Sequence, residues 1–156
     1  MSARKKPGPQ IDQRFAGFRL RLGSSRIHRL GVFAAESIPP RRQVIEYTGE
    51  RITWKESLRR FTKASESRAA PLLYLFRIDR RWVLDGSVGG SGAEYINHCC
   101  EPNLRAFVEN GHILYKSCRR IAAGEELTVD YQFPRNGPRM ICRCAAKNCR
   151  GTINLK

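Results

Sequence analysis

Three cysteines within eight residues near the end of the chain, Cys142-x-Cys144-x4-Cys149, restrict the fold more than any other feature. Thiols this close either pair as disulfides or share a metal. The start, residues 1–10, is basic and contains Pro and Gly, with no apolar stretch of a secretory signal. An intracellular, reducing compartment is therefore expected, where disulfides are rare. A structural zinc wants four ligands in a closed tetrahedron, and the cluster supplies three. The fourth has to come from Cys99, Cys100, Cys118 or a histidine. If it comes from the 97–103 segment, the metal ties the tail against the centre of the domain. Four protein ligands leave no open position, so the ion's role is structural. The spacing matches no common iron–sulfur run.

The remaining composition fits a single domain: 156 residues, 41% hydrophobic, enough for a core. No apolar run approaches the ~20 residues of a membrane span. Basic residues outnumber acidic ones 29 to 14, a net charge of +15 that attracts polyanions. The arginine pairs at 41–42, 59–60, 80–81 and 119–120 are spread along the chain. Non-specific nucleic-acid contact is expected. Sequence-specific reading of DNA is not, since no helix-turn-helix or zinc-finger helix accompanies the charge.

Residues 1–16 read as a flexible basic tail, 17–134 as the main domain and 138–156 as the metal-binding segment. Short strands are predicted over 18–22, 32–35 and 43–47, separated by Gly-, Ser- and Pro-rich turns. Thr53-x-x-Glu56 is a capping box, and a helix of two to three turns should follow with Trp54, Leu58 and Phe61 at helical spacing. The segment 64–70 then loses its pattern. Strands follow over 72–79 and 81–85, and Ser91-x-x-Glu94 caps a short turn. Asn110-Gly111 between two apolar runs predicts a type I′ hairpin, and a last strand covers 126–131. The expected fold is mostly β, many short strands with little helix.

Four blocks now resemble, in order, the SET-domain protein-lysine methyltransferases. Ile27-His28-Arg29-Leu30-Gly31-Val32-Phe33-Ala34 looks like the S-adenosylmethionine-binding loop, and Glu46-Tyr47-Thr48-Gly49-Glu50 is similar to E-Y-x-G-E. Asn97-His98-Cys99-Cys100-Glu101-Pro102-Asn103 resembles N-H-S-C-x-P-N, and Gly124-Glu125-Glu126-Leu127-Thr128-Val129-Asp130-Tyr131 resembles G-E-E-L-T-x-D-Y. The tail 142–152 looks like the post-SET motif C-x-C-x4-C-R-G, of the trithorax-like class without a pre-SET segment. The likeness spans roughly residues 17–156.

The resemblance implies a β-clip of small sheets with a pseudoknot that brings both signature blocks to one site. Threading is otherwise rare in proteins. It makes Cys100 the fourth zinc ligand beside Cys142, Cys144 and Cys149, and Cys99 a packed small residue. It assigns Tyr131 and Tyr74 to catalysis, Tyr131 as the hydroxyl that orients the amine and Tyr74 as a wall of the lysine channel. His28, Arg29, Leu30, Gly31, Tyr95, Asn97, His98, Tyr131 and Phe133 would contact S-adenosylmethionine. Val129 stands where an aromatic usually limits product size, so di- or trimethylation is expected unless Tyr115 fills the space. The implied substrate is a basic, lysine-containing tail of histone or ribosomal type, and the enzyme a monomer without membrane contact. It would work in the nucleus of a eukaryote or the cytoplasm of a bacterium.

The chemistry has its own requirement. Free lysine has a pKa near ~10.4, so the site must desolvate the amine to present it neutral, and alignment supplies most of the acceleration. Three residues depart from the pattern: Arg29 replaces a loop glycine, Arg41 a turn glycine and Glu94 an arginine. Arg29 is tolerable only with negative φ. The alternative reading is a catalytically weak or inactive SET-type module that binds chromatin or another nucleic-acid-associated partner. A zinc-ribbon nucleic-acid binder would leave the 97–103 and 124–131 blocks unexplained.

Overall fold

Turn-forming residues recur every few positions, so no strand grows long enough to build one large sheet. The computed structural model describes residues 8–65 and 74–156. Its strands are β1 (Leu20–Ser24), β2 (Leu30–Ala34), β3 (Gln43–Tyr47), β4 (Glu50–Thr53), β5 (Leu75–Arg77), β6 (Trp82–Asp85), β7 (Asn97–His98), β8 (Leu104–Glu109), β9 (His112–Ser117) and β10 (Thr128–Val129). The helix α1 spans Trp54–Ser65. The strands form three small sheets, ordered β1-β2, β4-β6-β5 and β3-β9-β8-β10-β7. Val32, Ile38, Val44, Ile45, Leu104, Ile113, Ile121 and Leu127 are fully buried between them.

Local chemistry explains several of these elements. Asn110 and Gly111 take φ of +51° and +80°, and Glu109 faces His112 across the two-residue loop, the left-handed turn that suits strand twist. The Thr53 hydroxyl accepts the Glu56 N–H at 3.2 Å and starts α1. The reciprocal half of the capping box does not form. The Glu56 carboxylate turns instead to Arg59 at 2.7 Å and Arg60 at 2.9 Å. Trp54, Leu58 and Phe61 stay 41%, 49% and 48% exposed. An ionic clamp joins α1 to the sheet: Arg60 also reaches Glu50 at 2.8 Å and Asp85 at 2.5 Å.

Other expectations need correction. A basic tail running to residue 16 is too long, because Ile11 and Ala16 pack against the core. Asp12 caps a 3-10 turn at Gln13–Phe15, and its N–H donates to Ser91 O at 2.8 Å. Of the strand expected over 72–79, only Leu75–Arg77 is paired; residues 72 and 73, like 66–70 of the patternless segment, lie outside the described residues. The strand expected over 126–131 shrinks to Thr128–Val129. The Asp130 carboxylate accepts the Gln132 N–H at 3.0 Å, and Gln132 takes φ +52°, which bends the chain out of the sheet.

The two signature blocks meet as parallel neighbours, Thr128 beside Asn97 and Val129 beside His98, the juxtaposition that the pseudoknotted arrangement implies. Asn103 supports it from the side. Its Oδ1 accepts the Thr128 N–H at 2.9 Å, and its Nδ2 donates to Glu126 O at 2.8 Å.

Arg29 and Arg41 both adopt positive φ, +40° and +59°, contrary to the negative value expected of Arg29. Each closes a tight connection between strands where a left-handed residue is needed. A non-glycine residue there costs about 1–2 kcal/mol, and glycine returns roughly 0.4–1 kcal/mol through the unfolded chain. Arg41→Gly is therefore expected to stabilise the fold by about 0.5–1 kcal/mol, read as a raised urea midpoint. A lowered midpoint would mean that the arginine side chain's contacts outweigh the strain.

Candidate active site and cysteine centre

The site is assembled around Asn97. Its amide nitrogen lies within hydrogen-bond reach of Leu30 O at 3.0 Å, His28 O at 3.3 Å, Ser25 Oγ at 3.1 Å and Glu126 Oε1 at 3.0 Å. Ser25 in turn accepts the Ile27 N–H at 2.9 Å and donates to Glu126 at 2.7 Å. The loop carrying His28, Arg29, Leu30 and Gly31 is thus fixed through its carbonyls. Gly31 lets the Glu126 carboxylate approach: a Cβ would stand 2.4 Å from Glu126 Oε1 and 3.0 Å from Ser25 Cβ, and would displace that side chain from its bonds to Ser25 and Asn97. Ser25 and the Glu126 side chain were not singled out in the sequence. A serine in a turn and a glutamate in a G-E-E-L run carry no signal that they meet across the fold.

His98 is buried and works in both directions. Its Nδ1 accepts the Tyr131 N–H at 3.1 Å, and its Nε2 lies 3.4 Å from Cys100 Sγ. Burial lowers its pKa, partly opposed by Asp130. The Tyr131 hydroxyl donates to Ile96 O at 2.8 Å, which leaves its lone pairs available. The residue is 38% exposed, and its ring lies between His98, at 5.4 Å centroid distance, and Phe133, at 5.7 Å.

Tyr74 and Tyr95 meet edge to face at 5.5 Å. The Tyr47 hydroxyl donates to Tyr74 O at 2.5 Å, and the Tyr47 ring packs on Phe76 and Tyr115. Burial raises the pKa of all five tyrosines, with neighbouring Tyr or Glu charges adding to the shift in each. Val129 is buried on β10. The structure thus brings Tyr131, Asn97, His98 and Phe133 into one continuous patch beside the 28–31 loop. Tyr74 and Tyr95 form the adjoining aromatic group.

Glu94 is half-buried at the edge of these aromatics. Its carboxylate accepts the Gly92 N–H at 2.8 Å. Burial raises its pKa, offset only in part by backbone N–H groups.

At the other end of the signature, Cys100, Cys142, Cys144 and Cys149 bring their sulfurs within 4.8 Å of one another. The Cys100–Cys142 and Cys100–Cys149 separations are 3.7 and 3.9 Å. A tetrahedral ion with bonds of ~2.3 Å has edges of ~3.8 Å, so the four thiols fit zinc. Burial works against ionising Cys144, yet the N–H groups of Cys100 and Ala146 and the adjoining thiols hold its pKa down to about 6. Cys99 is buried outside the cluster, its thiol pushed up to about 11, first by burial, and Cys118 is exposed.

Arg150 follows the last ligand and pairs bidentately with Asp130 at 2.8 and 2.9 Å. Its buried Nε has no partner, and the Cys100 and Cys142 thiolates favour its charge. Beyond it, Leu155 N–H donates to Phe133 O at 2.9 Å. The tail therefore returns to the wall of the site. Arg150 stood in the quoted C-R-G motif without a role, because nothing in spacing shows that Asp130 lies opposite.

Residues 29–132 match the SET domain. The chain belongs to the SET-domain family. It is 41% identical over 140 residues to the histone-lysine N-methyltransferase set-2 of Caenorhabditis elegans, covering 86% of this chain and 9% of that one. It is 40% identical over 137 residues to the H3 lysine-4 specific histone-lysine N-methyltransferase of Saccharomyces cerevisiae, covering 83% and 13%. Among solved structures, a chain of apo ctPRC2 with two substitutions in Ezh2 superposes with a TM-score of 0.65 at 33% identity, covering 74% of this chain and 15% of that one. The SET-domain chain therefore spans about a tenth of the length of the curated relatives it matches.

Glu94 yields a test of the site's electrostatics. The folded SET domain holds this proton to higher pH than the unfolded chain, whose carboxyl titrates near ~4.3. Ionising it therefore removes stability as pH rises from the unfolded value through the folded one. The stability of Glu94→Gln relative to wild type should rise from pH ~4 upward and then level off, measured by urea unfolding at a series of pH values.

Proposed function

We propose that this domain transfers a methyl group from S-adenosylmethionine to the ε-amine of lysine in histone tails. The observation that carries the reading is the parallel pairing of Asn97–His98 with Thr128–Val129, which sets the Tyr131 phenol beside the loop that Asn97 organises. The names of the relatives support histone as the substrate class and chromatin as the place of action. No described helix is long and apolar enough to cross a membrane.

S-adenosylmethionine supplies an electrophilic methyl on a sulfonium. The residues of this chain do the rest. Backbone groups of His28, Arg29, Leu30 and Gly31, with Asn97, His98, Tyr95 and Phe133, hold the donor. The Tyr131 oxygen, fixed by its bond to Ile96 O, accepts from the entering amine and sets its lone pair on the line of transfer. Tyr74 and its aromatic neighbours wall off water, which together with the nearby sulfonium disfavours the ammonium form. Val129 leaves room for more than one methyl.

Labelled methyl transfer to histone, read by peptide mass spectrometry, tests this. Tyr131→Phe should lower the rate by about 10²-fold or more while calorimetry still detects S-adenosylmethionine binding. An unchanged rate removes Tyr131 from its role, and a wild-type product confined to monomethyl-lysine removes Val129 from its own. A second reading, a non-catalytic module, is favoured by the strained Arg29 and by the half-buried Glu94 carboxylate beside the site. It predicts no donor binding by the wild-type chain.

We also propose that Cys100, Cys142, Cys144 and Cys149 hold a structural zinc, whose complex with four thiolates carries net negative charge that the nearby Arg150 guanidinium offsets in part. One zinc per chain is expected by elemental analysis. Its removal by chelator, or Cys144→Ser, should lower S-adenosylmethionine affinity about tenfold, because the tail that packs against Phe133 is released. Undiminished donor binding without metal would separate the two sites.

A further inference from the structure

The outer face of the five-stranded sheet carries a feature that methyl transfer does not use. Arg41, Arg105, Phe107, Lys116, Ser117 and Cys118 line a shallow pocket of about 290 Å³. Register sets Arg105 directly opposite Lys116, a like-charge juxtaposition that opposes strand pairing. Arg41 is brought beside them when its N–H donates to Ser117 O at 2.8 Å, and the Ser117 hydroxyl fixes the turn by donating to Pro39 O at 2.7 Å. Arg41 sits there at φ +59°, a conformation that glycine takes without strain.

Lys116 pairs with Glu109 at 2.5 Å and lies 5.0 Å above the Phe107 ring. Among the described residues no carboxylate pairs with Arg41 or Arg105. Two separate costs, a repulsive cross-strand pair and a strained arginine, thus converge on one pocket. Glu109 offsets the charge of Lys116, but among the described residues no carboxylate offsets that of Arg41 or Arg105. An anion lying between the guanidinium groups would offset both.

We propose that this pocket docks the phosphodiester backbone of double-stranded DNA. Its cations come from three segments, the turn before β3 and strands β8 and β9, and line a shallow pocket that is open on one side. An open site suits a long polyanion better than one small enclosed anion. The occupant also resolves a conflict in the proposed function, on which this argument rests: a chain of net charge +15 repels a basic histone tail unless a polyanion holds both.

The test uses the full chain and a short fluorescent DNA duplex, followed by anisotropy between ~50 and ~200 mM salt. Arg41→Ala/Arg105→Ala should weaken binding at least ~5-fold and make the slope of log K against log salt shallower by about two, at ~0.9 per lost phosphate contact. Lys55→Ala/Lys63→Ala on α1, equal in charge, should keep the wild-type slope. Methyl transfer to free histone peptide should be unchanged in the pocket variant and reduced on nucleosomes. A wild-type slope in the pocket variant, or an equal loss in the α1 variant, overturns the proposal. An equal loss of binding to polyglutamate overturns it too, assigning the surface to acidic proteins. Absent methyl transfer with the slope change intact would sink the enzymatic reading alone.

Discussion

The parallel pairing of β7 with β10 is only two residues deep, and the site hangs on it. Parallel ladders are slightly weaker per residue than antiparallel ones, so a contact this short needs support from outside the backbone. Asparagine side chains provide it. Asn97 gathers the 28–31 loop and Glu126 on one side, and Asn103 acts on the other as an extra rung for Thr128 and Glu126. An amide can donate and accept at once, which an ionised carboxylate or an ammonium cannot do. Asn103 uses both ends in this way, while Asn97 donates through its nitrogen.

Much of this was legible in the sequence where the determinant was local. The Asn110-Gly111 turn fixes its hairpin through two positive φ angles, and Gln43–Tyr47 forms the strand its pattern predicts. Composition and spacing reached three candidate metal ligands and left the fourth open; only the family resemblance singled out Cys100, which the fold brings to the other three. What failed to show was set by partners distant in the chain. The segment around Asp12 is held to the core by its N–H bond to Ser91 O, and the helix stripe of Trp54, Leu58 and Phe61 stays exposed while a polar residue, Arg60, makes the attachment. The expectation for Arg29 failed because its loop needs a left-handed residue whatever side chain occupies it.

The cysteine centre and the aromatic site share one histidine. Tyr131 N–H reaches His98, and His98 reaches Cys100, so the last strand and the tail are two arms of one frame. Arg150 and Asp130 cross-brace the same frame. Removing the tail would loosen a wall of the candidate site rather than an appendage.

The aromatic group has a consequence for observing the protein. The chain has five tyrosines and two tryptophans. Tyr74, Tyr95 and Tyr131 belong to the candidate site and Tyr47 and Tyr115 to the core behind it, whereas Trp54 and Trp82 lie on the helix and on the β4-β6-β5 sheet, stacked with Arg77, Arg51 and Arg81. All five phenols resist ionisation beyond the usual value near ~10. Phenolate absorbance in an alkaline titration therefore follows the loss of this packing rather than the ionisation of free surface phenols. Tryptophan emission supplies a reference from elsewhere in the fold.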